Sequence, residues 1–191
     1  MFNLTGLPAV LLPPPDTSGV TVPGRCEVAR SRLALVTLGK VTVFATGVLF
    51  SLEAVAADEE LISKLFSPDA ADDGIGEMLE PSEADFLRFR ILFADGRTVD
   101  DDCEALDGVR RLQPVAASEP ILWCYVATGG EVPGMPGTTG RYYEAKWWLR
   151  PLPPAGPLTV CCQWEAADIH DQATTLDGEV IQQAASAARR E

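Results

Sequence analysis

Histidine is almost missing from this 191-residue chain, which carries one, His170. A single imidazole argues against the usual catalytic zinc arrangements. A histidine-activated nucleophile has no visible second half either, since there is no Gly-x-Ser-x-Gly elbow and no reactive-cysteine signature. His170 stands between Asp168 and Asp171, and that neighbourhood reads as a hydrated surface turn. The five cysteines, Cys26, Cys103, Cys124, Cys161 and Cys162, contain no C-x-x-C pair. Adjacent Cys161 and Cys162 would point to opposite faces of a strand, which suits neither a shared metal nor a mutual disulfide. They read as reduced thiols packed like small hydrophobes.

Basic residues are scarce as well, 15 against 28 acidic, for a net charge of −13. Such a surface repels phosphate backbones and anionic lipid, so no nucleic-acid or membrane partner is expected. Long apolar runs are missing. The run at residues 7–12 is broken by Pro8 and ended by Pro13, Pro14 and Pro15, with no basic region before it. Neither a signal peptide nor a membrane span is expected, which makes the cytoplasm the expected compartment. No phosphate-cradling loop is present, because the glycines of residues 129–140 alternate with prolines and lead into a strand rather than a helix.

What the chain does have is centred on residues 141–164, where three of its four tryptophans lie. At period two, Tyr143, Ala145, Trp147 and Leu149 share one strand face, and Leu158, Val160, Cys162 and Trp164 share another. Between them Pro151, Pro153, Pro154 and Pro157 extend neither strand and form a stiff corner. The core is expected to condense around these indoles.

Taken in order, residues 1–24 read as an irregular lead-in, followed by one domain over residues 25–191. Strand-like runs at residues 32–38 and 41–54, separated by Gly39 and Lys40, suggest a hairpin, with a bulge near Thr46 and Gly47. Asp58, Glu59 and Glu60 before Leu61, Ile62, Leu65 and Phe66 suit a short helix stopped by Pro68. Residues 86–93 alternate, with Leu87, Phe89, Ile91 and Phe93 inward and Arg88 and Arg90 outward. Asp95-Gly96 then turns the chain toward a partner at residues 97–99. Residues 100–119 read as a long acidic loop. Residues 121–127 are apolar at both parities and read as a central strand covered on both sides, and residues 128–140 as a glycine-rich mobile loop. After Trp164 the chain is expected to leave the sheet. From Asp177, as N-cap, it turns helical with Val180, Ile181, Ala184 and Ala188 as a close-packing stripe.

Five to eight strands with short, Gly- and Pro-rich connections predict a mainly β fold. The expected architecture is an antiparallel β-sandwich, immunoglobulin-like or jelly-roll-like, with one short internal helix and a C-terminal helix. The segment from Leu87 through Asp95-Gly96 to Arg97, the glycine loop, and the Pro-Leu-Pro-Pro-Ala-Gly-Pro-Leu string between Trp147 and Trp164 resemble a family of uncharacterised actinobacterial proteins over roughly the C-terminal half. The resemblance implies one cytoplasmic domain and carries no activity.

Among candidate sites, Asp69, Asp73, Gly74 and Glu80 fall at calcium-loop positions. Ala71, Gly76 and Pro81 break that pattern, so a solvated acidic loop is expected and no metal or other cofactor. Asp100, Asp101 and Asp102 are read as hydrated rather than catalytic. Tyr142, Glu144, Lys146 and Trp148 lie at the parity opposite to Trp147, where two aromatics beside a charged pair form a contact face unless the lead-in or the terminal helix covers it. The function expected is therefore a non-catalytic interaction module that binds a protein partner or its own copy through a sheet face or edge. A small-ligand or carbohydrate-binding sandwich using loop 128–140 is the alternative, and a hydrolase the third reading.

Overall fold

The structure, a computed structural model, describes residues 12–14, 18–66, 86–101 and 118–188. Those residues form a mainly β architecture of two packed antiparallel sheets with two helices. The larger sheet contains β1 (Val20–Val22), β2 (Cys26–Arg30), β3 (Ala34–Phe44), β4 (Gly47–Ala56), β7 (Ile121–Gly130) and β8 (Tyr142–Arg150). Its order is β1-β3-β4-β8-β7, and β2 pairs with the other half of the β3 edge. The smaller sheet runs β10-β9-β5-β6, from β5 (Arg88–Leu92), β6 (Thr98–Asp100), β9 (Pro157–Trp164) and β10 (Ile169–Asp177). Helix α1 (Glu59–Phe66) follows β4, and α2 (Gly178–Ala188) follows β10.

The alternation read at residues 143–149 and 158–164 places both apolar rows between the sheets. Trp147 and Trp164 are buried, and Trp147 meets Phe89 of the opposite sheet edge-on at 5.5 Å between ring centroids. Aromatic pairs favour this geometry, and each buried ring removes a large apolar area from water. The proline corner lies between β8 and β9, which belong to different sheets, so it carries the chain across the sandwich. Residues 87–93 alternate as expected, with Arg90 outward and 2.6 Å from Asp100.

Both helices begin where the residue types require. The carboxylate of Asp58 accepts from the Glu60 N–H at 3.0 Å, and that of Asp177 from the Glu179 N–H at 2.8 Å. Each satisfies a donor that the first helical turn leaves unpaired. On α2, Ile181, Ala184 and Ala185 join the core between the sheets, against β1 and β3, whereas Val180 faces solvent. Gln182 Nε2 donates to the Pro153 carbonyl, which ties this helix to the proline corner.

Several expectations are corrected. Gly39 and Lys40 are not a turn, because β3 runs through them. The pairs Leu38↔Leu52 and Val41↔Phe50 set both residues against Ser51 alone, which is a bulge. The two-residue turn is Ala45-Thr46, where the bulge was expected, and only there do the two strands match in length. Residues 20–22 of the lead-in form β1. Residues 121–130 end the larger sheet instead of occupying its centre. After a 3-10 turn (Glu165–Ala167) the chain returns to the smaller sheet as β10 rather than leaving it. Pro68, the calcium-like positions Asp69, Asp73 and Glu80, and Cys103 lie outside the described residues.

Candidate functional site

Strand pairing arranges the outer face of the larger sheet in four rows. Across β3, β4, β8 and β7 they are Thr42–Leu49–Trp148–Trp123, then Ser51–Lys146–Val126, then Thr37–Glu53–Glu144–Thr128, then Leu35–Val55–Tyr142–Gly130. Apart from Thr42 the first row is apolar, and polar side chains gather in the next two. Tyr142, Glu144, Lys146 and Trp148 therefore do share one face, opposite to Trp147.

Their exposures differ. Tyr142, Glu144 and Lys146 are half-buried, whereas Trp148 is 1% exposed. Phe44 approaches the Trp148 ring edge-on at 5.6 Å between centroids, and Gly47 lies close beneath the indole, where a Cβ would come within 2.6 Å of its ring carbons. Trp148 is thus a packing residue of the outer face and not an exposed contact, which corrects that part of the sequence reading. The physical reason is the turn at Ala45-Thr46, which brings Phe44 back over β8; the Gly39-Lys40 turn would have placed it elsewhere.

The polar part of the face contains three groups the sequence did not single out, Arg25, Ser51 and Glu53. The Ser51 hydroxyl donates to Glu144 Oε1 at 2.9 Å, and Arg25 Nη2 lies 3.4 Å from Glu53 Oε2. Burial, reinforced by the negative charges of Glu53 and Glu144, pushes the Tyr142 phenol up to about 12. At neutral pH it stays a hydrogen-bond donor beside two carboxylates. Ser51 and Glu53 become legible only once β4 is paired with β8, and that pairing joins segments 93 residues apart, which no local pattern fixes.

The remaining candidates have structural surroundings. His170 is exposed, with Nε2 3.1 Å from Asp168 Oδ1. Asp101 accepts from the Phe89 N–H at 2.9 Å and donates its own N–H to the Phe89 carbonyl at 2.8 Å, and Asp100 pairs with Arg90, while Asp102 lies outside the described residues. The loop between β7 and β8 is tied to itself. Thr138 Oγ1 accepts from the Val132 N–H at 3.0 Å, and Glu131 accepts from the Thr139 hydroxyl at 3.0 Å. Gly134, Gly137 and Gly140 take the left-handed backbone that its turns need. Two depressions among the described residues hold about 60 and 50 Å³, and this loop lines neither. Ligand pockets are usually several-fold larger.

Burial pushes the Cys124 and Cys162 thiols up to about 12, so both are protonated and inert at neutral pH. Among the described residues no group of three His, Cys, Asp or Glu side chains is placed to hold a metal, and no helix is long and apolar enough to cross a membrane. Comparison of the chain with protein-family models, with curated proteins and with solved structures finds no match.

Proposed function

We propose that this protein is a non-catalytic interaction module that docks a protein partner on the polar rows of the outer face of its larger sheet. Tyr142, Glu144 and Lys146 on β8 are the contact residues, with Glu53 and Ser51 beside them. The observation that carries the reading is the position of α2. This helix packs between the sheets against β1 and β3, so it does not cover the half-buried side chains of β8 on the opposite side. A neutral phenol, two carboxylates and one ammonium in adjacent rows form a mixed surface that suits a partner carrying both donors and a cation. The strong negative charge of the rest of the molecule disfavours indiscriminate binding to other acidic proteins.

The test is capture from native lysate with the wild type and with Lys146→Glu, each followed by intact-mass measurement of the assembly. The reading expects one partner that the wild type retains and the variant loses at unchanged melting temperature. Equal capture by both proteins would refute it.

A further inference from the structure

We propose that Met135, at the tip of the loop between β7 and β8, is an oxidation site whose thioether hydrogen peroxide converts to the sulfoxide while the protein stays folded. It is the one methionine among the described residues, and at 60% exposure the most open of their large apolar side chains.

The loop builds that exposure. Pro133 and Pro136 flank the tip, and Gly134 and Gly137 turn the chain with φ of 79° and 80°. Both main-chain groups of Met135 are bonded within the loop. Its N–H donates to the Val132 carbonyl at 3.0 Å, and its carbonyl accepts from the Thr138 hydroxyl at 2.6 Å. The backbone is thus held while the side chain is left to solvent. None of these bonds uses the sulfur, so an oxygen added there displaces none of them.

Two other sulfurs are placed the opposite way. Cys162 is buried and Cys124 half-buried, and burial pushes both thiols up to about 12. A thiol reacts with peroxide as its thiolate, of which these two hold almost none at neutral pH. A thioether has no proton to lose, so access alone governs it. A lone pair on Met135 Sδ attacks one oxygen of hydrogen peroxide. The S–O bond forms as the O–O bond breaks, the other oxygen leaves as water with both protons, and the sulfur gives up two electrons. The apolar tip becomes a polar, chiral one, open to the reductases that reverse this change. The inference is independent of the docking face proposed for β8.

Peptide mass mapping of the full chain during treatment with hydrogen peroxide decides it. Met135 should gain one oxygen in the folded chain within about threefold of its rate in urea, and equally fast at pH about 6 and about 8, since exposure sets the rate. Cys124 and Cys162 should react more slowly than Met135 in the folded chain and speed up at least about tenfold in urea. Treatment should change the melting temperature of the wild type and of Met135→Leu by the same amount. A folded-state rate for Met135 more than about threefold below that in urea would overturn the proposal. So would a larger fall in melting temperature in the wild type than in Met135→Leu, because oxidation would then act by breaking the fold.

Discussion

The side-chain amide of Gln172 reads the backbone of Arg30 as a strand would, accepting from its N–H and donating to its carbonyl, each at 2.9 Å. Gln172 reaches that position from a bulge in β10, where Asp171 adopts φ of 45° and the register shifts between Ile169 and Gln172. One carboxamide thus joins the edges of the two sheets. Two net hydrogen bonds at a partly wet edge contribute about 1–2 kcal/mol. Gln172→Ala should lower the unfolding free energy by that amount, read as a fall in the urea midpoint at constant m. Gln172→Glu, which keeps the acceptor but sets a carboxylate against the Arg30 carbonyl, should lose at least as much. An unchanged midpoint in both variants would mean that the clamp adds nothing.

Trp148 and Lys146 lie on the same face but should respond differently to truncation. Trp148 is enclosed by Phe44 and Gly47, so Trp148→Ala should cost about 3–5 kcal/mol, as large-to-small changes at buried aromatics do. Trp148→Phe should cost less and remain folded if the alanine variant does not. Lys146→Ala, at a half-buried site, should stay within about 0.5 kcal/mol. Denaturant unfolding of the three variants checks the order.

A glycine opening a helix is ordinarily improved by alanine, by up to about 1 kcal/mol. Gly178 should show the opposite sign. Its N–H donates to the Gly156 carbonyl at 2.9 Å, and a Cβ there would run into that same oxygen. Gly178→Ala should therefore lower the melting temperature, and a rise would show that the contact between α2 and the proline corner is loose.

Stability at alkaline pH should depend on Tyr142. Its phenol titrates near 12 in the folded chain, because of burial first and Glu53 and Glu144 second, against about 10 when unfolded. A raised pKa means that the folded state holds the proton longer. The associated stability is complete below pH about 10 and is lost as pH rises toward about 12. Cys124 and Cys162 act in the same direction. Tyr142→Phe should accordingly flatten, without abolishing, the fall in unfolding free energy across that window. Equal slopes in the two proteins would assign the whole effect to the thiols.

Legibility followed local pattern. The rows headed by Trp147, Trp164 and Phe89 were read correctly because alternation over four consecutive inward positions has few other solutions. Both helix starts are legible, one from the acids Asp58, Glu59 and Glu60 ahead of apolar residues at helical spacing and the other from Asp177 as N-cap, since both signals act between near neighbours. Strand β10 was missed because Ile-His-Asp-Gln-Ala-Thr-Thr-Leu-Asp is mostly solvent-facing and opens with a bulge, so it shows little period-two pattern. The candidate face was half legible. Parity placed Tyr142, Glu144, Lys146 and Trp148 together, but the neighbours from β4 depend on pairing with a segment far away in the chain, and the cover from Phe44 depends on where one hairpin turns.

The amino-acid sequence alone determined that this chain is mainly β, where its buried indole row lies, and which carboxylates begin its helices, because each is decided within a few residues by side-chain direction and backbone bonding. The tertiary structure decided which strand stands at an edge, which ring from another strand joins each of two adjacent tryptophans, Phe89 at Trp147 and Phe44 at Trp148, and how Gln172 closes one sheet onto the other. Those outcomes depend on pairings between segments far apart in the chain, and a one-residue difference in where a hairpin turns exchanges every neighbour along the strand.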